Sequence, residues 1–589
     1  MSLPRLWRTV RHLSAEQVLY RAICRGRRVA MQIAPETARR MIERAAAALP
    51  LPDPASPRLA AVARPVLALQ TAVHGDRLDG IAAGRFELLN RTFDFGGIDR
   101  IPWRGEFHEG NNPLRRMTLA YMGYAVPLLA RGRPSDLRTV RRLLRGLDGA
   151  NPWSEPGVFR DVWNPYAASH RLINLLAGLS LWRAANDVLA PEVEAEILGH
   201  VRFCAAFVRA NRERELQYNH LLKNYVALAA YASALPTLPP SFAFLARAIP
   251  RALARNVLAD GGHAERCPMY HVLSMLDVDV LRASGVPRDA GLSDIRQRME
   301  DALRVMSHPD GDIALFNDSW LGEAPAARDM TDLAAVPETA RLPETGYVRL
   351  GRGGDAVVFD CGPCGPDDNP GHAHADFLSV EASVGGARFI VDPGVPTYTA
   401  GAARDESRSA ASHNGPYLVG AEPIEFWRSF RVGRRGRAAE ITDEALSGMA
   451  PLWCAGRQDG YARLGVEASR FVGLWPGQAM LVCDLWRGPD TMPAAAGFLI
   501  PAAWKRDGLS FTQGPRRVRL TALAGVLEEP CPARYWPRFG VDEAAHRVGI
   551  RPERAGTARR AALWVAWSDA ARPPDNASLT ALFDKLERC

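Results

Sequence analysis

The chain has 589 residues, 47% of them apolar and 23% charged, ordinary proportions for a globular protein, and its length calls for two or more domains. No run of eighteen apolar residues occurs, which excludes a spanning helix of the usual kind. Net charge is +8 and nearly all arginine, lysine being confined to positions 223, 505 and 585; this balance suits an acidic polymer, and no helix-turn-helix, zinc-finger or RNP-type pattern argues for nucleic acid.

Residues 1–50 read as a leading helical segment. Ser14 and Gln17 form a capping box, and Leu13, Val18, Tyr20 and Ile23 supply an apolar stripe. Docking onto the body of the protein is the preferred expectation, with contact to a membrane surface as the alternative for so arginine-rich a segment. The N-terminus shows no apolar h-region or small-residue cleavage site, so a cytoplasmic rather than periplasmic location is expected.

Residues 51–110, rich in Pro, Ala and Gly and then in aromatics, read as irregular with short strands. From 112 to 335 apolar residues recur at helical period over 113–131, 135–147, 165–185, 190–211, 219–235, 241–258, 268–284 and 291–306. Antiparallel helices of this length form either a bundle or a toroid. After Pro343 the period becomes two, and no comparable helical run returns before 578–586, the pattern of an antiparallel β-sandwich. The expected organisation is therefore multidomain α+β: a helical segment over 1–50, a helical domain over 51–340 and a sandwich over 341–589.

The nine cysteines have irregular spacing and form no disulfide framework. Cys361-Gly-Pro-Cys364 copies a redox spacing, but it sits in a Gly/Pro-rich loop without a βαβ context.

Chemistry concentrates in Gly371-His372-Ala373-His374-Ala375-Asp376 and the β-hairpin predicted after it, with Gly385-Gly386 at its turn. If the first strand begins near the histidines, His372, His374 and Asp376 share a face. A two-residue turn would put Asp392 on the opposite face from His374, so a shared metal requires a bulged hairpin or a bend. His374, Asp392 and His413 are ligand types that hold Zn²⁺ and leave a fourth position open.

The order H-A-H-A-D, V-D-P-G, S-H-N resembles the heparinase II/III family of polysaccharide lyases, which includes oligoalginate lyases. The resemblance implies an incomplete (α/α) toroid of helical hairpins followed by the sandwich, with Zn²⁺ held by His374, Asp392 and His413 and with His372 facing the substrate. It also implies that Asn219 and His220 occupy the catalytic cleft. By spacing alone that pair opens a helix, where the dipole favours an anionic group. In Asp260-Gly-Gly-His263-Ala-Glu265-Arg266-Cys267-Pro-Met-Tyr270 the resemblance implies that Tyr270 is the catalytic tyrosine and Glu265 a substrate contact, with Cys267 in place of the usual serine. A phenol acting as base would need Arg266 or a histidine to stabilise its phenolate. Arg171 is a carboxylate or sulfate contact by the same resemblance, or an interhelix salt bridge. Tyr398 follows the D-P-G and can reach the cleft; Arg404 and Arg408 bind substrate or orient the loop.

The implied reaction is β-elimination of an acidic polysaccharide or oligosaccharide containing uronate. Epimerisation at C5 on the same scaffold, and non-catalytic polysaccharide binding in capsule or exopolysaccharide assembly, are the two alternatives. A homodimer is left open.

Overall fold

The computed structural model describes residues 3–75, 77–105, 107, 112–186, 190–288 and 291–589. Its first helices are Leu3–Val10, Ala15–Ile33 and Pro35–Ala47. Ser14 caps the second through both halves of the capping box. The segment docks on both domains: Arg5 and Arg8 reach Glu425 at 3.1 and 2.7 Å, Trp427 Nε1 donates to Thr9 Oγ1 at 3.0 Å, and Arg214 reaches Glu16 at 2.6 Å.

Residues 51–110 are less irregular than their composition predicts. The short hairpin Arg85–Leu88 with Arg91–Asp94 is present, but a helix, Pro57–His74, precedes it. Pro57 stands in its first turn, where a missing N–H costs nothing. Leu59, Val62, Ala63, Val66 and Gln70 bury one face against helices Pro165–Ala185 and Pro268–Ser284, and that packing outweighs the interior Pro65. Positions 76, 106 and 108–110, also within this stretch, lie outside the described residues.

The helical domain follows the apolar period closely: Pro134–Ala150, Pro165–Ala185, Pro191–Ala210, Tyr218–Ser233, Leu245–Asn256, Pro268–Ser284 and Leu292–Val305. The expected 113–131 helix is broken into Leu114–Tyr121 and Ala125–Ala130, with left-handed Met122 between them. Successive helices pack side by side, the helical-hairpin arrangement of an (α/α) toroid. None of the described helices is long and apolar enough to cross a membrane.

From Thr339 the chain is antiparallel sheet. A five-stranded sheet spans Thr339–Ile390, a nine-stranded sheet draws its strands from Ala438–Ala566, and a third sheet includes Pro416–Leu418, Ala494–Pro501 and Val541–Arg551. They share one apolar core containing Leu350, Phe359, Phe389, Val482, Trp486 and Phe498. The last helix, Asn576–Arg588, lays Leu579, Leu582, Phe583 and Leu586 on the outer face of the large sheet. Met306 and Phe316 of the helical domain pack with Leu342, Tyr347 and Val358 of the first sheet, which fixes the two domains against each other.

The hairpin resolves the register question in a way neither turn length anticipates. Its loop is the two-residue Gly385-Gly386, both at positive φ, pairing Val384 with Ala387. Beyond it the pairing shifts from Ser383–Arg388 to Ala382–Ile390, so Phe389 is an extra residue in the second strand. That bulge, rather than a longer turn, brings Asp392 to the side of His374. The strand itself starts only at Val380, so His372 and His374 lie on an irregular loop and not on a strand.

Candidate active site and metal centre

Two loops from different domains are laced together at the site. Asn317, held in the left-handed region at φ 57°, accepts from the His374 amide through Oδ1 at 3.0 Å and donates through Nδ2 to the Arg266 carbonyl at 3.0 Å. Its own amide donates to Asp376 at 2.9 Å, and the Asp318 amide donates to the His372 carbonyl at 3.2 Å. Cys267 donates to the Asp318 carbonyl at 3.1 Å, and Ser319 Oγ accepts from the Met269 amide at 3.2 Å. The loop is thereby anchored to the start of the helix that carries Tyr270.

Asp318 is the hub. Its carboxylate meets His372 Nδ1 and His374 Nε2, each at 2.9 Å, and Arg404 through two nitrogens, one at 2.8 Å. Burial pushes this carboxyl up, but the Arg404 guanidinium and the two imidazoles outweigh it and hold it well below the usual carboxylate range. The sequence reading did not single out Asp318. Its signal was the polar run Asn317-Asp318-Ser319 set between Phe316 and Trp320, all of it buried.

Beside this hub, His374, Asp392 and His413 place ligand atoms within 4.8 Å of one another. All three side chains are fully buried. His413 Nδ1 meets Asp392 Oδ2 at 2.8 Å, while His374 Nδ1, Asp392 Oδ1 and His413 Nε2 are buried without a hydrogen-bond partner. Unpaired buried polar atoms are costly, and three of them in one cluster fit a metal ion. Burial lowers the His374 and His413 imidazoles to about 3 and about 4, so both present the neutral nitrogens that ligate. Asp318 on the far nitrogen of His374 is the second carboxylate that commonly orients a ligating histidine.

Tyr270, in the first turn of Pro268–Ser284, packs its ring 4.3 Å from that of His372 and sets its hydroxyl 3.5 Å from that of Tyr398. Tyr270 and His372 are half-buried, and Tyr270 and Tyr398 line a cleft of about 750 Å³, mouth included, whose walls also include Tyr121, Tyr166, His170, Asn174, Trp320 and Glu323. The Arg266 guanidinium donates to the Thr345, Glu344 and Ala264 carbonyls, so it does not serve as the phenolate partner that a basic tyrosine would need. Burial instead drives the Tyr270 phenol well above its ordinary range, and the group stays protonated.

On the helical side, Asn219 opens the helix Tyr218–Ser233 with its Oδ1 buried and unpartnered. His220 Nδ1 lies 3.2 Å from Glu213, and its ring lies 4.4 Å from that of Tyr166. Burial opposes a charge on His220, yet Glu213 holds it above the usual imidazole range. Glu265 is buried, accepts from Asn369 at 3.4 Å, and is raised by burial against the fields of His372 and His220.

Three expected substrate contacts lie elsewhere. Arg171 is fully buried, donating to His200 and to the Ala120 and Val162 carbonyls. Arg404 and Arg408 are equally buried. Arg404 neutralises Asp318, and Arg408 donates to the Ser429 and Arg428 carbonyls. A guanidinium with its donors so committed braces the core and the loop instead of meeting a ligand.

Residues 334–528 match a family model described as Heparinase II/III-like, C-terminal. Most of the sandwich is thus similar to a heparinase II/III-like C-terminal domain. The His374, Asp392 and His413 cluster, the Asp318 partners and the bulged hairpin all fall within this matched region. FtsZ-localized protein C of Caulobacter vibrioides is 26% identical over 434 residues, covering 72% of this chain and 71% of that protein. A crystal structure of heparinase III superposes with a TM-score of 0.67 at 14% identity, over 86% of this chain and 85% of the other. Heparan sulfate lyase HepC from Pedobacter heparinus does so with a TM-score of 0.54 at 17% identity, over 85% and 83%. At these identities the likeness is one of fold: the heparinase II/III-like sandwich follows a helical toroid, as it does in those structures.

Proposed function

We propose that this heparinase II/III-like chain is a polysaccharide lyase that cleaves a uronate-containing acidic polymer by β-elimination. The observation that supports this most is the meeting of Tyr270, which lines the cleft, with His372, a phenol and an imidazole brought together from two domains.

Elimination requires three things: the uronate carboxylate must be neutralised, the C5 proton removed and the departing O4 protonated. Asn219 and His220, at a helix N-terminus, meet the carboxylate, with Glu213 keeping His220 protonated. His372, its Nδ1 turned to Asp318, offers Nε2 to the C5 proton. The C5–H electron pair becomes the C4=C5 bond, the C4–O4 bond breaks, and the Tyr270 hydroxyl gives its proton to O4. Tyr398, 3.5 Å away, is placed to return a proton to Tyr270.

Zinc is the proposed occupant of His374, Asp392 and His413, where a bound cation would supply charge that fixes the loop carrying His372. Elimination consumes no water, so Asp318, His374 and Arg404 hold His372 in place without any need for a metal-activated hydroxide.

A panel of heparin-like, alginate-like and bacterial capsular uronans, read by ultraviolet absorbance of the unsaturated product, tests the proposal. Product from one class supports it. Inverted C5 configuration without unsaturation would assign an epimerase, and binding with neither change a non-catalytic factor.

A further inference from the structure

The first helix is docked inside out. Leu3–Val10 turns Arg5, Arg8 and Thr9 toward the sandwich, where they meet Glu425 and Trp427, and turns Leu3, Trp7 and Val10 to the outside at 81%, 66% and 37% exposure. A helix docked for stability alone presents the opposite faces. The second helix repeats the feature. Gln17, Cys24 and Met31 face inward, while Val18, Leu19, Ile23, Val29 and Ile33 form an exposed stripe over most of its length.

Among the described residues, nine of the fourteen exposed large apolar side chains lie between Leu3 and Met41. Charge concentrates in the same place. Residues 1–44 hold ten arginines against three glutamates, so seven of the chain's eight net positive charges belong to this segment. Arg11, Arg25, Arg40 and Arg44 are exposed. An apolar stripe of this extent marks an interaction surface, and its pairing with arginines selects a partner that is apolar beneath and anionic at its surface.

We propose that residues 3–44 attach this protein to the surface of an anionic phospholipid bilayer, with Leu3, Trp7, Val10 and the outer stripe of the second helix entering the headgroup layer. The helices lie along the interface and do not cross it. The Glu425 contacts hold the first helix to the sandwich, so the whole body is carried to the membrane with it.

The test is flotation of the full chain with vesicles of phosphatidylcholine containing phosphatidylglycerol, and with phosphatidylcholine alone. The expected result is binding to the anionic vesicles, reduced about tenfold or more on the neutral ones or at high salt. Leu3→Glu with Trp7→Glu should lower binding about tenfold with the melting temperature unchanged, because both side chains are already exposed. If that variant melts early, Arg11→Glu with Arg25→Glu reads the charge contribution separately and should also weaken binding. The proposal is overturned if the native chain stays with the unbound fraction, or if both variants float like it. It is equally overturned if Trp7→Glu abolishes only a concentration-dependent self-association in sedimentation, which would assign the face to a second copy. None of these outcomes depends on the lyase reading.

Discussion

Tyr270, from a helix of the toroid, and His372, from a loop of the sandwich, stand with ring centroids 4.3 Å apart although 102 residues of chain separate them. The contact exists because Asp318 binds His372 while its carbonyl accepts from Cys267 and the Ser319 hydroxyl accepts from the Met269 amide, both at the start of the tyrosine's helix. A phenol and an imidazole are thus positioned by one strap.

Tyr270→Phe and His372→Ala should each lower lyase turnover by about 10²–10⁴-fold. Glycan affinity, measured by calorimetry with the polymer that the panel selects, should change little. Turnover within a few-fold of native for either variant would remove that residue from the chemistry.

Asp318→Asn should destabilise the fold as well as slow turnover, since it leaves Arg404 buried without its counter-ion. Removing one member of a buried pair costs roughly 3–5 kcal/mol. Urea unfolding of Asp318→Asn, compared with Asp318→Asn combined with Arg404→Met, should show the double variant recovering part of the loss. A single variant as stable as the native chain would mean that the pair contributes nothing.

One equivalent of divalent metal per chain should be found by elemental analysis, and His413→Ala or Asp392→Asn should reduce it to a small fraction. Chelation should lower the melting temperature of the native chain and leave the already metal-poor variants unaffected. Undiminished metal in both variants would place the ion elsewhere.

Burial raises the Glu323 carboxyl in the cleft wall from 4.5 to about 7. Between those values the folded chain binds more protons than the unfolded one, so the contribution to stability is fullest below 4.5 and is lost as pH rises through 7. Glu323→Gln should therefore be more stable than native by on the order of 1–2 kcal/mol at pH 8, with the difference vanishing near pH 4. A pH-independent difference between the two chains would show that Glu323 is not the group that titrates.

Much of this was legible beforehand because it depends on local pattern. The helices of 134–305 follow the apolar period, Ser14 and Gln17 cap as their types require, and the change to period two places the sheets. His374, Asp392 and His413 were readable as a ligand set from residue type and order. For Arg171, Arg404 and Arg408 the sequence left ligand contact and internal bracing both open, because an arginine's role depends on whether its donors face water or buried acceptors, and spacing carries no record of that.

The sequence by itself determined the succession of helices and then sheets and the arginine-rich character of the first helices, since each follows from residue type and period, while the set His374, Asp392 and His413 was implied by the family resemblance. Only the tertiary structure decided that a bulge at Phe389 turns Asp392 toward His374, that Asp318 joins His374 of the His-Asp-His cluster to His372 beside Tyr270, and that the first helix faces its apolar side outward. These depend on which surfaces meet across long stretches of chain. The free energy of such meetings lies in burial and charge pairing between distant residues, which local order does not encode.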